Sequence, residues 1–206
     1  MGVVIGRRGE GKSTLVKTWL DRWRRVLIVD PKGEYPGAAC YSLATLHHHV
    51  RTSEQFRVCY RPMGMDDKQH LVAVDIAAHV ALEYGDMLVV IEEAGRYTQM
   101  GQSVCPKVRR LISEGRHHEI AVCAISQRAA SIGKDIIEAA DTLYLFHTHG
   151  EHSAAYLASI IGREAAADLS GLTPGEFVTW DARAGVGRGM VTLPGRRKKN
   201  LSPQKT

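Results

Sequence analysis

The chain of 206 residues carries a formal net charge of +5 at pH 7, a modest excess that suits a nucleic-acid partner. A hydrophobic content of 44% and a charged content of 24% are typical of a soluble globular protein, and no apolar run approaches the roughly 20 residues of a membrane span. The four cysteines contain no C-x-x-C pair, which argues against a disulfide framework or a zinc site and predicts reduced thiols in a cytoplasmic protein.

The first predicted strand, residues 2–5, leads directly into the pattern G-x-x-x-x-G-K-S, and a helical stretch follows. Its glycines let the backbone turn its N–H groups onto phosphate oxygens, and the helix N-terminus directs its positive dipole end to the same anion. We predict that this loop binds ATP through Gly6, Arg7, Arg8, Gly9, Glu10, Gly11, Lys12, Ser13 and Thr14. Lys12 would reach the β- and γ-phosphates, and Ser13 would hold Mg²⁺.

Strands and helices alternate along the rest of the chain. Short apolar runs predict strands at 2–5, 26–29, 56–60, 87–91, 120–125 and 142–146. Apolar residues at helical spacing predict helices at 14–25, 43–54, 67–84, 106–115, 134–140, 151–161 and 164–169. Residues 176–180 and 188–193 predict a closing hairpin. This order predicts one α/β domain over 1–195, with a mainly parallel central sheet flanked by helices, and a basic, flexible tail at 196–206.

Polar side chains follow two of the predicted strands at the point where each strand ends. Glu92 and Glu93 come directly after the apolar strand 87–91, which is the Walker B pattern of ATPases, although its first acid is more often Asp. We assign Glu92 to the Mg²⁺ shell and Glu93 to activation of the attacking water. Gln127 follows the next strand at the edge where open α/β sheets bind ligands, so we predict that it contacts the γ-phosphate or the water.

An arginine is expected near the transferred phosphoryl group, often from a neighbouring subunit, where it contributes roughly 10³–10⁵-fold in rate. Arg109, Arg110 and Arg116 lie on or after the helix between the strands that carry the glutamates and the glutamine. We favour Arg116 for this role. For Arg109 and Arg110 we expect exposed surface positions.

Two groups of histidines invite a metal interpretation. Three consecutive histidines, 47–49, cannot all ligate one ion from a helix because adjacent helical residues point in different directions. His147, His149 and His152 have a spacing that some metal sites use, but neither a cysteine nor a second cluster accompanies them. We predict that both groups are solvated.

Together these motifs resemble the HerA/FtsK superfamily of DNA-pumping ATPases. The more specific marks are D-P-K-G-E at 30–34, G-R-H at 115–117 and S-Q-R at 126–128, and the similarity covers residues 1–146. A core of this size is similar to the genome-packaging ATPases of membrane-containing icosahedral viruses. The resemblance implies a RecA-like P-loop NTPase fold of the ASCE class. It also implies that the strand before Gln127 lies between the P-loop strand and the Walker B strand.

The resemblance further implies an ATPase that moves double-stranded DNA through a ring, usually a hexamer, with each active site at a subunit boundary. A capsid or membrane vertex protein is the docking partner that such a motor would have. Arg116 of a neighbour would then reach the active site. The alternative is a P-loop kinase for a nucleotide or another small molecule, but no arginine-rich lid is evident, so no small-molecule acceptor is expected. A GTPase would need N-K-x-D, which is missing, and a scaffold that only binds nucleotide would not need Glu93.

Overall fold

The computed structural model describes residues 1–98, 105–148 and 151–194. Its strands are β1 (Gly2–Ile5), β2 (Arg25–Val29), β3 (Ala38–Cys40), β4 (Phe56–Tyr60), β5 (Met87–Ile91), β6 (Ile120–Ser126), β7 (Thr142–Phe146), β8 (Glu176–Asp181) and β9 (Gly185–Met190). Its helices are α1 (Lys12–Leu20), α2 (Leu43–Thr52), α3 (Asp67–Tyr84), α4 (Gly95–Thr98), α5 (Pro106–Glu114), α6 (Lys134–Glu138), α7 (Glu151–Ile161) and α8 (Arg163–Asp168). Short 3₁₀ helices lie at Gly115–His118 and Ala129–Ser131.

The strands form one sheet in the order β3-β4-β2-β5-β6-β1-β7-β8-β9. The pairs from β3 to β7 are parallel, whereas β7–β8 and β8–β9 are antiparallel. The predicted α/β class with a mainly parallel sheet and a closing hairpin is therefore confirmed. The placement of β6 between β5 and β1, which the resemblance implied, is confirmed as well.

Helices cover the two faces of the sheet unequally. In β1, Val3 and Ile5 pack into a core with α2, α3 and α5 to α8, while Val4 packs on the other face with α1. This alternation follows from the two-residue period of a strand. All five residues of β5 are buried, as expected of a central parallel strand.

Several element boundaries differ from the predictions. The first helix ends at Leu20 instead of continuing to residue 25, because Arg25 already pairs with Phe56 in the sheet. The short edge strand β3 and helix α4 had no recognisable periodicity and were not predicted. The predicted tail at 196–206 lies outside the described residues. Within the described segments, no helix combines the length and the apolar character needed to cross a membrane.

The predicted phosphate-binding loop, residues 6–14, is here called the P-loop. It is joined to the carboxyl ends of the strands on either side of β1. The Gly6 amide donates to the Ser126 carbonyl at 3.2 Å, and the Arg7 amide donates to the His147 carbonyl at 3.1 Å. A Cβ on Gly6 would lie only 2.5 Å from the Cβ of Phe146. Glycine is therefore required at the start of the loop by close packing as well as by its backbone conformation.

Gly6→Ala is expected to destabilise the fold, because the added methyl group meets Phe146, which is fully buried. Gly9→Ala is the matched control. Gly9 also has a positive φ, of 85°, but its Cβ would have no neighbour within 4 Å, so only the backbone cost remains. Urea unfolding should show an additional loss of about 1–3 kcal/mol for Gly6→Ala over Gly9→Ala, the usual cost of overpacking. Equal losses would show that Phe146 does not restrict the loop.

Candidate functional site

The P-loop and the carboxyl ends of β2, β5 and β6 surround a cavity of about 350 Å³. Of the residues predicted for the site, those that line this cavity are Arg8, Gly9, Gly11, Lys12, Ser13, Thr14, Glu92, Glu93 and Gln127. Gly6, Arg7 and Glu10 do not line it. The structure thus brings Lys12, the paired glutamates and the glutamine to one place at the edge of the sheet.

Lys12 is the first residue of α1 and follows Gly11, whose φ of 114° turns the loop into the helix. The side chain is only 8% exposed, and its ammonium donates to the Arg7 carbonyl at 2.7 Å. Burial lowers the pKa of Lys12, and the nearby carboxylates of Glu92 and Glu34 oppose that shift. The ammonium is therefore held against the backbone of the loop, beside the cavity.

Glu92 follows β5, and its amide donates to the Val29 carbonyl at 3.1 Å. The Tyr35 hydroxyl donates to Glu92 Oε1 at 2.6 Å. Burial raises the pKa of Glu92, while the Tyr35 hydrogen bond and the Lys12 charge favour its ionised form. The Glu92 carboxylate and the Lys12 ammonium therefore each favour the charged form of the other.

Glu93 adopts a φ of 53°, in the left-handed region that non-glycine residues seldom occupy. Such a conformation costs about 1–3 kcal/mol and is concentrated at functional sites. The carboxylate forms an ion pair with the ammonium of Lys32. Its backbone conformation and this ion pair together hold the Glu93 carboxylate at the cavity.

The segment 30–35 after β2 is anchored by a buried carboxylate. Asp30 is fully buried and accepts from the amides of Glu34 and Tyr35 at 2.8 and 3.2 Å. Arg61, which follows β4, donates to the same carboxylate from Nε and Nη2 at 3.1 and 2.9 Å. Arg61 Nη2 also donates to the Tyr35 carbonyl at 3.0 Å. This segment, which we call the Asp30 loop, therefore has a single well-defined shape.

Three side chains of the Asp30 loop contact three of the predicted site residues. Lys32 pairs with Glu93, and Tyr35 donates to Glu92. Glu34 accepts a hydrogen bond from Ser13 Oγ at 3.0 Å. From the sequence alone this stretch was recognised only as a family mark and its contacts were missed, although a polar turn directly after a buried parallel strand was an available signal.

Gln127 is exposed and lines the cavity, as predicted. The preceding residue, Ser126, is buried and donates from its hydroxyl to the Arg128 carbonyl at 3.0 Å. The Ala94 amide donates to the Ile125 carbonyl at 2.8 Å and joins the ends of β5 and β6. The position of Gln127 is thus fixed relative to the glutamates.

Arg116 lies in the 3₁₀ helix that precedes β6, at the opposite edge of the sheet from the cavity. It pairs with Asp141 at 2.9 Å. It does not line the cavity of its own chain, so its predicted role as an arginine supplied by a neighbour stays a prediction. Arg109 and Arg110 form partly exposed ion pairs with Asp135 and Glu114.

The predicted solvation of the histidines is tested only in part. His47 Nε2 lies 3.1 Å from the Tyr84 hydroxyl, so this ring has a protein partner. His149 lies outside the described residues. Among the side chains that the structure describes, no group of three or more from His, Cys, Asp and Glu is arranged to hold a metal ion.

Comparison with known proteins shows the fold but gives no family assignment from sequence. No family model matches the chain. It is 26% identical over 174 residues to the uncharacterized protein 015R of Frog virus 3 (isolate Goorha). That match covers 79% of this chain but only 49% of the viral protein, so the chain spans about half the length of this curated relative.

Solved structures of a packaging NTPase and of VirB4 have the same fold. The genome packaging NTPase B204 of Sulfolobus turreted icosahedral virus 2, in complex with AMPPCP, matches with a TM-score of 0.76 and 19% identity over 94% of this chain and 98% of that chain. VirB4 of Thermoanaerobacter pseudethanolicus matches with a TM-score of 0.66 and 11% identity over 95% and 90% of the two chains. The predicted resemblance to HerA/FtsK-type packaging ATPases is therefore confirmed at the level of the fold.

Arg61→Met is expected to destabilise the protein by about 3–5 kcal/mol, because it leaves the buried Asp30 carboxylate without its cation. Arg24→Met is the matched control, since Arg24 makes only an exposed pair with Glu54 at 3.9 Å. That control should change the free energy of unfolding by no more than about 1 kcal/mol. Urea denaturation of the two variants tests the difference. Similar values for both would mean that Asp30 does not depend on Arg61.

Proposed function

We propose that the protein is an ATPase that uses hydrolysis to move double-stranded DNA during the packaging of a viral genome. The observation that carries this proposal is the meeting of Lys12, Glu92, Glu93 and Gln127 around one cavity of about 350 Å³. The fold shared with the B204 packaging NTPase supports the same proposal.

The chemistry of the cavity suits a nucleoside triphosphate with Mg²⁺. The P-loop offers backbone N–H groups and the Lys12 ammonium to phosphate oxygens. Ser13 Oγ and the Glu92 carboxylate are oxygen donors of the kind that Mg²⁺ prefers, and both line the cavity. When bound, Mg²⁺ would neutralise charge on the phosphates. We therefore assign Ser13 and Glu92 to the metal and the P-loop to ATP.

In this mechanism Glu93 accepts the proton of the attacking water. Its pairing with Lys32 orients the carboxylate, and γ-phosphate oxygens would compete with that carboxylate for the Lys32 ammonium. Lys12 stabilises the negative charge that develops on the phosphoryl group. Gln127 orients the water or the γ-phosphate. Arg116 of a neighbouring subunit would complete the site, which makes hydrolysis dependent on assembly.

The proposed motor is a ring, with six subunits as the expected number, that passes DNA through its centre. It would dock on a capsid or membrane vertex protein. DNA phosphates would be held by basic side chains without reading of sequence. The second candidate is a P-loop kinase, which would place phosphate on a small acceptor instead of releasing it to water.

Two substitutions separate binding of ATP from its hydrolysis. Lys12→Ala removes the cation that contacts the phosphates and should abolish hydrolysis. Glu93→Gln keeps the shape of the side chain but removes the base, so ATP binding should persist while turnover falls by about 10²–10⁴-fold. Phosphate release and binding of a fluorescent ATP analogue measure the two effects.

Glu119→Gln is a matched control for Glu93→Gln. Glu119 is also a glutamate with a positive φ, of 58°, but it directly precedes β6 at the opposite edge of the sheet. Its substitution should leave turnover at the parent level. Full activity in Glu93→Gln would show that the base has been assigned wrongly.

Duplex DNA is expected to raise the rate of ATP hydrolysis, because a translocase couples the two activities. The measurement compares phosphate release with and without DNA while light scattering reports the mass of the assembly. The parent protein should be stimulated in a ring-sized fraction, and Arg116→Gln should lose turnover there. Transfer of labelled phosphate to a small acceptor, with no effect of DNA, would favour the kinase.

A further inference from the structure

The cavity that is lined by Lys12, Glu92 and Glu93 is here called the nucleotide cavity. A second cavity, of about 340 Å³, adjoins it. The residues that line it are Arg7, Arg8, Gln127, Arg128, Thr148 and Ser153. We call this surface the arginine groove. Arg8 and Gln127 line both cavities, so the two cavities meet at these side chains.

The arginine groove concentrates positive charge that no described acidic side chain pairs with. Arg7, Arg8 and Arg128 are exposed, and no ion pair or hydrogen bond joins the guanidinium group of any of them to another described residue. Some other exposed or partly exposed arginines, such as Arg116 and Arg188, do pair with acids. Three guanidinium groups without a described acidic partner around one concave surface attract an anion.

The other groups in the groove indicate which kind of anion fits. Thr148 and Ser153 supply hydroxyls and Gln127 supplies an amide, and among the described residues no aliphatic or aromatic side chain lines the groove. Arginine, hydroxyl and amide groups are those that contact phosphate oxygens in protein–DNA complexes. A docking site for a protein would instead centre on apolar or aromatic side chains. The lining therefore favours a phosphate-rich ligand over a protein partner.

We propose that the arginine groove binds the phosphodiester backbone of DNA, with one guanidinium contact from each of Arg7, Arg8 and Arg128. This proposal rests on the proposed function, because it names where on the chain the DNA is held. Guanidinium groups bind phosphate in a forked geometry that carries no base information, so the contact is independent of sequence.

Gln127 gives the groove a direct connection to hydrolysis. Its amide lines both cavities, so a phosphate in the groove and a γ-phosphate in the nucleotide cavity act on the same side chain. If Gln127 contacts one of these two phosphates in preference to the other, binding at one site changes binding at the other, and such coupling is reciprocal. DNA in the groove would therefore alter ATP affinity by the same factor by which ATP alters DNA affinity.

The salt dependence of DNA binding tests the groove directly. Affinity for a duplex is measured by fluorescence anisotropy without nucleotide, between about 50 and about 200 mM salt, and the slope of log affinity against log salt counts phosphate contacts. Arg128→Gln should reduce this slope by about 1, and Arg7→Gln with Arg128→Gln should reduce it by about 2, equally for unrelated duplex sequences.

Arg51→Gln is the matched control. Arg51 is an exposed arginine on α2, which packs beside β3 and β4 at the other end of the sheet. Its slope should equal that of the parent. Circular dichroism confirms that each variant is folded, which is expected because the replaced guanidinium groups are exposed.

The results separate the groove from the wider proposal. If the parent binds DNA and all variants keep its slope, the groove is not the DNA site, although the motor function stands. If the slope is unchanged but Arg128→Gln alters the mass of the assembly, the groove is a contact between copies and the proposal is overturned. If the parent hydrolyses ATP and binds no duplex, the DNA-translocation part of the proposed function fails together with the groove.

Discussion

The arrangement of the candidate site depends on the buried ion pair between Asp30 and Arg61. Asp30 is fully buried and the Arg61 side chain is only 20% exposed, so neither charge is solvated as it would be in water. Removing such charges from water costs several kcal/mol per ion, which only good geometry and further hydrogen bonds can offset. Asp30 has both, because two guanidinium nitrogens and two backbone amides donate to its carboxylate. An ion pair of this kind fixes one loop conformation more than it adds stability, and the conformation it fixes brings Lys32 and Tyr35 to the cavity.

The charges at the cavity are balanced by contacts from this loop. Burial raises the pKa of Glu92 and lowers the pKa of Lys12, so each group on its own would tend to become neutral. Each favours the charged form of the other, and the Tyr35 hydroxyl adds a hydrogen bond to the Glu92 carboxylate. Glu93 is held by a different cation, Lys32, and by a strained backbone. Two adjacent glutamates therefore experience different environments, which is the usual way in which a site gives two carboxylates different roles.

The sequence predicted the parts of this site that depend on local order and failed where distant segments meet. Parallel strands place their carboxyl ends at one edge, so the P-loop, Glu92 and Gln127 could be assigned to one place from strand order alone. Arg61 could not be found in this way, because it follows an ordinary strand, and only the pairing of β4 with β2 brings it beside Asp30. The contacts of Lys32 and Glu34 likewise depend on the shape of a loop. Arg116 was chosen by its place in the chain, and whether a neighbour brings it to a cavity is a property of the assembly.

The position of Gln127 suggests why a glutamine, not a charged residue, follows β6. This residue lines the nucleotide cavity on one side and the arginine groove on the other. A lysine there would bind phosphate strongly on both sides, and a glutamate would repel it on both. An amide has a donor and an acceptor of similar strength, so it can exchange partners for a small difference in free energy. A side chain between two surfaces that we propose to bind phosphate transmits a signal only if both of its states are accessible, and a neutral amide meets that requirement.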